Sequence, residues 1–321
     1  MAVIENAKVT VVGAGAVGSA TAYAMLIRGS ARQVVLYDID RARVEAEALD
    51  LAHGAMFLGA GTVTGTSEID RTAHSHVIVV TAGAAQRPGQ TRLELIETNA
   101  RIFRTMIPQL VKASPHAIVI VVTNPCDVLT MLAVEQTGID PARLFASGCV
   151  LDTSRLRWAI AQRAGVDARS VHAHIAGEHG DSQVPLWSTA TIGPVPLAEW
   201  EPAFGDDELD RIAQGVRTAA YAIIEGKGAT NYAIGLAGTR VVEAVLRDEN
   251  AILPVSTVLQ GAHGIDGVAL SVPSIVGSAG AVPLTGVRFS EREQEQFEAS
   301  ARTLAETAAT VRAALSGREN P

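Results

Sequence analysis

The run Gly177-Glu178-His179-Gly180-Asp181 sets one histidine among carboxylates and glycines, a setting suited to proton chemistry. Imidazole titrates near neutrality without large tuning, so a histidine can both give and take a proton in a reversible reaction. Upstream, Leu151-Asp152-Thr153-Ser154-Arg155 supplies a carboxylate and an arginine, and Gln86-Arg87-Pro88-Gly89-Gln90-Thr91-Arg92 ends on another arginine. Arg155 follows Asp152 by about one helical turn and can present a planar fork to a substrate carboxylate. First in the chain comes Gly13-Ala14-Gly15-Ala16-Val17-Gly18, a glycine-rich phosphate loop. A histidine, a carboxylate and two arginines downstream of such a loop suit hydride transfer to a small keto acid.

The elements that must position these residues change character along the chain. Val9–Val12, Val34–Tyr37, Val77–Thr81 and Ile118–Thr123 are continuous apolar runs, as expected of strands covered on both faces. Helical stretches separate them: Ala16–Arg28 closed by Gly29, Arg41–Met56, and Thr91–Lys112, which Pro108 is expected to kink or split. This alternation predicts an α/β fold, a doubly wound parallel sheet of the Rossmann kind. After about Ser147 short β runs, long helices and a β-rich stretch from Ala251 to Val287 predict a mixed α+β substrate domain. The expected boundaries are 7–147 for the dinucleotide-binding domain and 148–318 for the substrate domain. A helix is expected to begin near Asp152, with that residue as its N-cap.

The glycine loop directly follows a strand and opens a helix, the context in which it binds a dinucleotide. Gly13 allows the tight turn, Gly15 lets the backbone approach a pyrophosphate, and Gly18 permits close packing of helix on sheet. Asp38, at the end of the second apolar run, is placed to accept the adenosine ribose hydroxyls. Its charge would repel a 2′-phosphate, which favours NAD over NADP. Arg43 either approaches the adenine or is an ordinary exposed helical arginine.

Composition narrows the partners. The 321 residues are 48% hydrophobic, enough to bury a large core, and the formal net charge of −8 gives no reason to expect nucleic acid or an anionic membrane. An anionic substrate must then be captured by locally placed arginines. Cys126 and Cys149 form no metal-type cluster, and reduced thiols in a cytosolic protein are the better reading than a disulfide. Neither a signal peptide nor a membrane helix is visible.

Taken in order, these segments, with Asn124-Pro125 between them, resemble the L-lactate/malate dehydrogenase family across nearly the whole chain. The resemblance implies that His179 exchanges the proton and Asp152 fixes its tautomer, although capping a helix would be sufficient work for that Asp. It implies that Arg155 binds the substrate carboxylate and that Arg92, on a closing loop, polarises the carbonyl. Val17, Gly83, Ala84, Val122 and Asn124 would join Gly13, Gly15, Gly18 and Asp38 around NAD, with Asn124 also near substrate. The residue after Asn-Pro is usually Val, where this chain has Cys126.

Gln86 stands where the malate branch carries an arginine for a second substrate carboxylate, so it points to the lactate branch, with pyruvate and L-lactate as substrates. Thr230, in Gly228-Ala229-Thr230-Asn231, would narrow the pocket around a methyl group. Gln90 cuts the other way, replacing an acid common in lactate-branch loops. Arg157 and His172 match positions that bind fructose 1,6-bisphosphate in activated bacterial members, although an ordinary surface Arg and His is the alternative. A homotetramer is implied by resemblance alone. Two rivals stand outside this activity: an NAD-dependent glycosidase, against which the lack of a Cys/His metal cluster argues, and a catalytically silent NAD-binding protein.

Overall fold

The computed structural model describes residues 4, 6–59, 61–84 and 92–316, with Arg92 placed by its backbone alone. The amino-terminal half contributes strands β1 (Lys8–Val12), β2 (Gln33–Tyr37), β3 (Thr62–Thr66), β4 (Val77–Val80), β5 (Ile118–Val121) and β6 (Leu144–Ala146). Helices α1 (Ala16–Arg28), α2 (Arg41–His53), α3 (Arg92–Ala113) and α4 (Cys126–Thr137) connect them. The spatial order is β3-β2-β1-β4-β5-β6 with every pair parallel, the doubly wound arrangement expected. Alternation along β4 divides its side chains between two cores. Ile78 and Val80 pack with Phe103, Ile107, Leu129 and Phe297 on one face. Val77 and Val79 pack with Met25, Leu36, Val241 and Val245 on the other.

The second half contributes α5 (Val150–Ala164) and the short strands β7 (Val171–His172), β8 (Ile175–Ala176), β9 (Val184–Pro185), β10 (Thr191–Ile192) and β11 (Val195–Pro196). There follow α6 (Asp206–Lys227), α7 (Tyr232–Leu246), β12 (Ala251–Gln260), β13 (Asp266–Gly277), β14 (Gly280–Pro283) and α8 (Glu291–Ser316). The texture changes near residue 147, but the main sheet continues through the change. β12 pairs antiparallel with β6 through Ser256 and Ala146, and β13 and β14 extend it, so that among the described residues nine strands form one sheet. A smaller core of Leu156, Ile160, Val171, Ile175, Ile192 and Val216 joins α5, α6 and the short strands.

Pro108 does not split α3, which runs unbroken from Arg92 to Ala113. A proline lacks the N–H that would bond the carbonyl four residues back. Here the Gln136 side-chain amide, from α4, donates to that carbonyl of Arg104. The orphaned acceptor is satisfied by the neighbouring helix, and the helix continues.

Candidate active site

The glycine loop lies where the strand order reverses, between the ends of β1 and β4, the crevice in which open α/β sheets bind ligands. Gly13 has φ +102°, and a Cβ on it would lie 2.7 Å from the Ala82 backbone nitrogen. A Cβ on Gly18 would lie 1.8 Å from the Gly13 carbonyl oxygen, whereas one on Gly15 would meet nothing within 4 Å. Two glycines therefore serve packing, and the third opens onto free space. Gly15 is also the N-cap of α1 and makes no side-chain capping bond, leaving first-turn N–H groups beside Val17 for an anion. Asp38, just past β2, accepts the Ala14 N–H at 2.7 Å and the Asp40 N–H at 3.0 Å. Arg43 lies exposed in the first turn of α2, its own N–H bonded to Asp40.

Gly83 and Ala84 follow β4, and Val122 and Asn124 follow β5, so all four reach the same end of the sheet. Asn99 of α3, 1% exposed, joins the two loops. Its Oδ1 accepts the Ala84 N–H at 2.7 Å and its Nδ2 donates to the Asn124 carbonyl at 3.0 Å. Nothing in the sequence reading singled out Asn99. Its signal was a polar residue in the apolar stripe of α3, between Ile96 and Phe103.

The catalytic candidates meet on one carboxylate. Asp152 Oδ2 lies 2.5 Å from His179 Nδ1, and Asp152 Oδ1 accepts from Arg155 NH1 at 2.9 Å. The sequence reading makes Asp152 the N-cap of its helix, and the structure corrects this. Cys149 takes that position, and Asp152 sits inside the first turn. From there its side chain turns to the histidine and the arginine. Burial alone would raise the Asp152 carboxyl, but the His179 ring and then Arg155 outweigh it and hold the group below its ordinary value. Burial alone would lower His179. The Asp152 charge and hydrogen bond, with Asp127 adding to them, raise it instead to about 9.

Both cysteines are free and buried. Burial, before the nearby carboxylates, pushes both thiols well above their ordinary value. Cys126 therefore fills space in α4 rather than acting as an exposed thiolate. Cys149 Sγ points to the Glu178 carbonyl at 3.6 Å, joining the start of α5 to the histidine loop.

Thr230 is half-buried in the turn between α6 and α7. Arg157 donates to the Ala173 carbonyl at 2.9 Å and reaches His174 Nε2 at 3.0 Å, while His172 is exposed on β7. Burial and the charges of Arg157 and His172 lower His174 to about 4, so at neutral pH it is an uncharged acceptor for the guanidinium. The structure thus brings Arg157 and His172 to one place, remote in sequence from the glycine loop. Gln86, Gln90 and the side chain of Arg92 lie outside the described residues.

Residues 7–146 match the family model described as lactate/malate dehydrogenase, NAD binding domain, and residues 149–314 match its alpha/beta C-terminal domain. The chain belongs to the lactate/malate dehydrogenase family. NAD is therefore its cofactor and oxidoreduction its class of reaction. The residues present fit that cofactor: open space at Gly15, an uncapped α1 and a carboxylate at the end of β2. Among family members, an L-lactate dehydrogenase from Bifidobacterium animalis subsp. lactis is 46% identical over 311 residues, covering 95% of this chain and 97% of that one. One from Gloeobacter violaceus is 46% identical over 309 residues, covering 94% and 92%. The crystal structure of a minor L-lactate dehydrogenase from Enterococcus mundtii superposes with TM-score 0.92 at 38% identity, covering 95% of this chain and 98% of that one.

Proposed function

We propose that this chain is an NAD-dependent L-lactate dehydrogenase that interconverts pyruvate and L-lactate. The observation that carries the reading is the single Asp152 carboxylate shared by His179 and Arg155. It sets a proton donor beside a carboxylate-binding fork. In pyruvate reduction, protonated His179 gives its Nε2 proton to the carbonyl oxygen, and in lactate oxidation the neutral ring takes it back. Asp152 holds Nδ1, fixing the ring and stabilising the imidazolium. Arg155 orients the substrate through its carboxylate. Arg92, by its place in the motif, stabilises the charge that grows on the oxygen in the transition state. When bound, NAD carries the hydride exchanged with substrate C2. Gly13, Gly15, Val17, Gly18, Asp38, Gly83, Ala84, Val122 and Asn124 would hold the cofactor, with Arg43 at the adenine end.

Gln86, which offers no counter-charge to a second carboxylate, supports pyruvate over oxaloacetate, and Thr230 is assigned to the pocket wall. Residues 7–147 and 148–318 are taken as the cofactor and substrate domains. The deciding experiment compares kcat/KM for pyruvate and oxaloacetate with NADH. Equal or greater activity on oxaloacetate would overturn the lactate assignment.

The same reading includes a homotetramer activated by fructose 1,6-bisphosphate at Arg157 and His172. Apolar exposure supports the assembly: Tyr23, Phe57 and Tyr232 are more than half exposed around one cleft between α1, α2 and α7. Such clustering marks an interaction surface. Two free thiols support a cytoplasmic location, and no helix among the described residues is long and apolar enough to cross a membrane.

A further inference from the structure

A second carboxylate reaches His179 from a different element. Asp127 is the second residue of α4, directly after the β5 loop that carries Asn124, and is 1% exposed. Its Oδ2 accepts the His179 backbone N–H at 2.8 Å, while Oδ1 lies 3.9 Å from Cys126 Sγ. His179 is thus held twice, its main chain by Asp127 of α4 and its ring by Asp152 of α5. A buried carboxylate is a costly way to accept one backbone N–H, since a neutral acceptor would do so without desolvating a charge. The choice of Asp at this point calls for something the charge does.

We propose that Asp127 is a positioning residue for His179, fixing the main chain that carries the ring and adding a second negative charge that keeps the ring protonated for transfer to substrate. The inference rests on His179 being the proton donor.

The surroundings agree with it. The groups facing this pair are Asp152 and Arg155 from α5, Cys149 at its N-cap, Glu178 from the histidine loop, Cys126 from α4 and the Ser256 hydroxyl from β12. Arg155 is the cation among them and is already bonded to Asp152, so among the described residues the histidine is the positive charge facing Asp127. Burial raises the Asp127 carboxyl to about 6 even against the opposing pull of Ser256 and His179. At neutral pH it is ionised, and it contributes to raising His179. Because its folded value is raised, the ionised carboxyl costs stability above that pH, and an amide in its place removes the cost.

The test uses Asp127→Asn, which keeps an acceptor without the charge, and Asp127→Ala, which keeps neither. His179 is titrated by NMR of the labelled imidazole in the cofactor-free protein, and pyruvate reduction is measured from pH 5.5 to 10. In Asp127→Asn the His179 titration should fall by roughly one pH unit, and the kinetic profile should move with it. In Asp127→Ala kcat should fall by about tenfold or more at every pH, with KM changing less. Asp127→Asn should melt no lower than the wild type at pH 8, because the amide removes the buried charge.

A His179 titration identical in wild type and Asp127→Asn would overturn the charge role, and an Ala variant with wild-type kcat would overturn the clamp. If neither variant folds, the wild type still decides. Its His179 resonance should carry a second inflection near pH 6, where Asp127 takes up its proton, and a single-step titration overturns the coupling. Failure of the underlying reading is distinguishable, since it appears as a fully active His179→Asn variant whatever the Asp127 variants do.

Discussion

Asp152 Oδ2 and His179 Nδ1 stand 2.5 Å apart, and the second oxygen of the same carboxylate holds Arg155 at 2.9 Å. The proposed proton donor and the proposed substrate anchor are therefore positioned by one side chain. A displacement of Asp152 moves both, so its replacement should damage binding and proton transfer together. Because Asp152 lies inside α5 rather than at its cap, losing it should not cost the helix its start.

If His179 is the proposed proton donor, its protonation state should set the direction of the pH profile. With the ring raised to about 9, kcat/KM for pyruvate reduction should fall as pH rises through that region, and lactate oxidation should rise. Asp152→Asn removes the largest stabilising charge and should move both limbs down by about 1 to 3 pH units. Stopped-flow measurements of both directions check this. An unmoved profile with activity retained would reduce Asp152 to a structural residue.

Arg155→Lys separates binding from chemistry. Lysine keeps the charge but loses the planar fork and the bond to Asp152 Oδ1. A charged hydrogen bond of this kind contributes about 1.5–3 kcal/mol, so KM for pyruvate should rise about tenfold to a hundredfold. The fall in kcat should be smaller. Steady-state kinetics read the split directly, and an unchanged KM would remove Arg155 from the substrate site.

What was legible in the sequence follows the length of each pattern. The strands β1, β2, β4 and β5 are runs of apolar residues buried on both faces, and they stood out. β3 was missed because Thr62-Val63-Thr64-Gly65-Thr66 is a half-exposed edge strand, and β6 because three residues make no pattern. The join of β12 to β6 was illegible for another reason: it is set by one long-range pairing, Ser256 with Ala146. Within the site, His179, Asp152 and Arg155 were readable because they occur in compact motifs. Asn99 and Asp127 were not, since each acts through a backbone group far along the chain, and no local spacing encodes such a partner.

The Arg28–Glu243 pair gives a stability prediction distant from the site. Glu243 on α7 is 1% exposed and accepts from Arg28, at 2.6 and 2.8 Å, and from Ser30 at 2.8 Å. Burial would raise its carboxyl, yet Arg28 and Ser30 hold it below the ordinary value of 4.5. The stabilisation is therefore present above pH 4.5 and is lost as pH falls through the depressed folded value. Half of the Arg28 side chain is solvated, which screens the pair. Glu243→Ala should still cost about 1–3 kcal/mol at pH 7, read by urea melts, and the difference from wild type should shrink in acid.

Gln86→Arg tests substrate choice. A second substrate carboxylate buried beside a neutral amide lacks a counter-ion, and supplying one should shift preference toward oxaloacetate by about 3 kcal/mol in kcat/KM. Competition assays with both keto acids measure the ratio. A variant that gains nothing on oxaloacetate would place Gln86 outside the substrate pocket.

The effector assignment is tested most cleanly at His172. Arg157 already donates to the Ala173 carbonyl and bonds His174, so replacing it would disturb the segment just after β7 and blur the result. His172 is exposed at the end of β7 and can be changed to Gln without opening the core. For activation the bisphosphate must bind the active assembly more tightly, because equal affinity for both states shifts neither. The wild type should therefore show a lower apparent KM for pyruvate with fructose 1,6-bisphosphate, and the response should weaken in His172→Gln. Calorimetry on the same two proteins should show weaker effector binding in the variant. An unaltered response would move the effector site away from β7, and a wild type indifferent to millimolar effector would leave Arg157 bound to His174 as a purely structural contact.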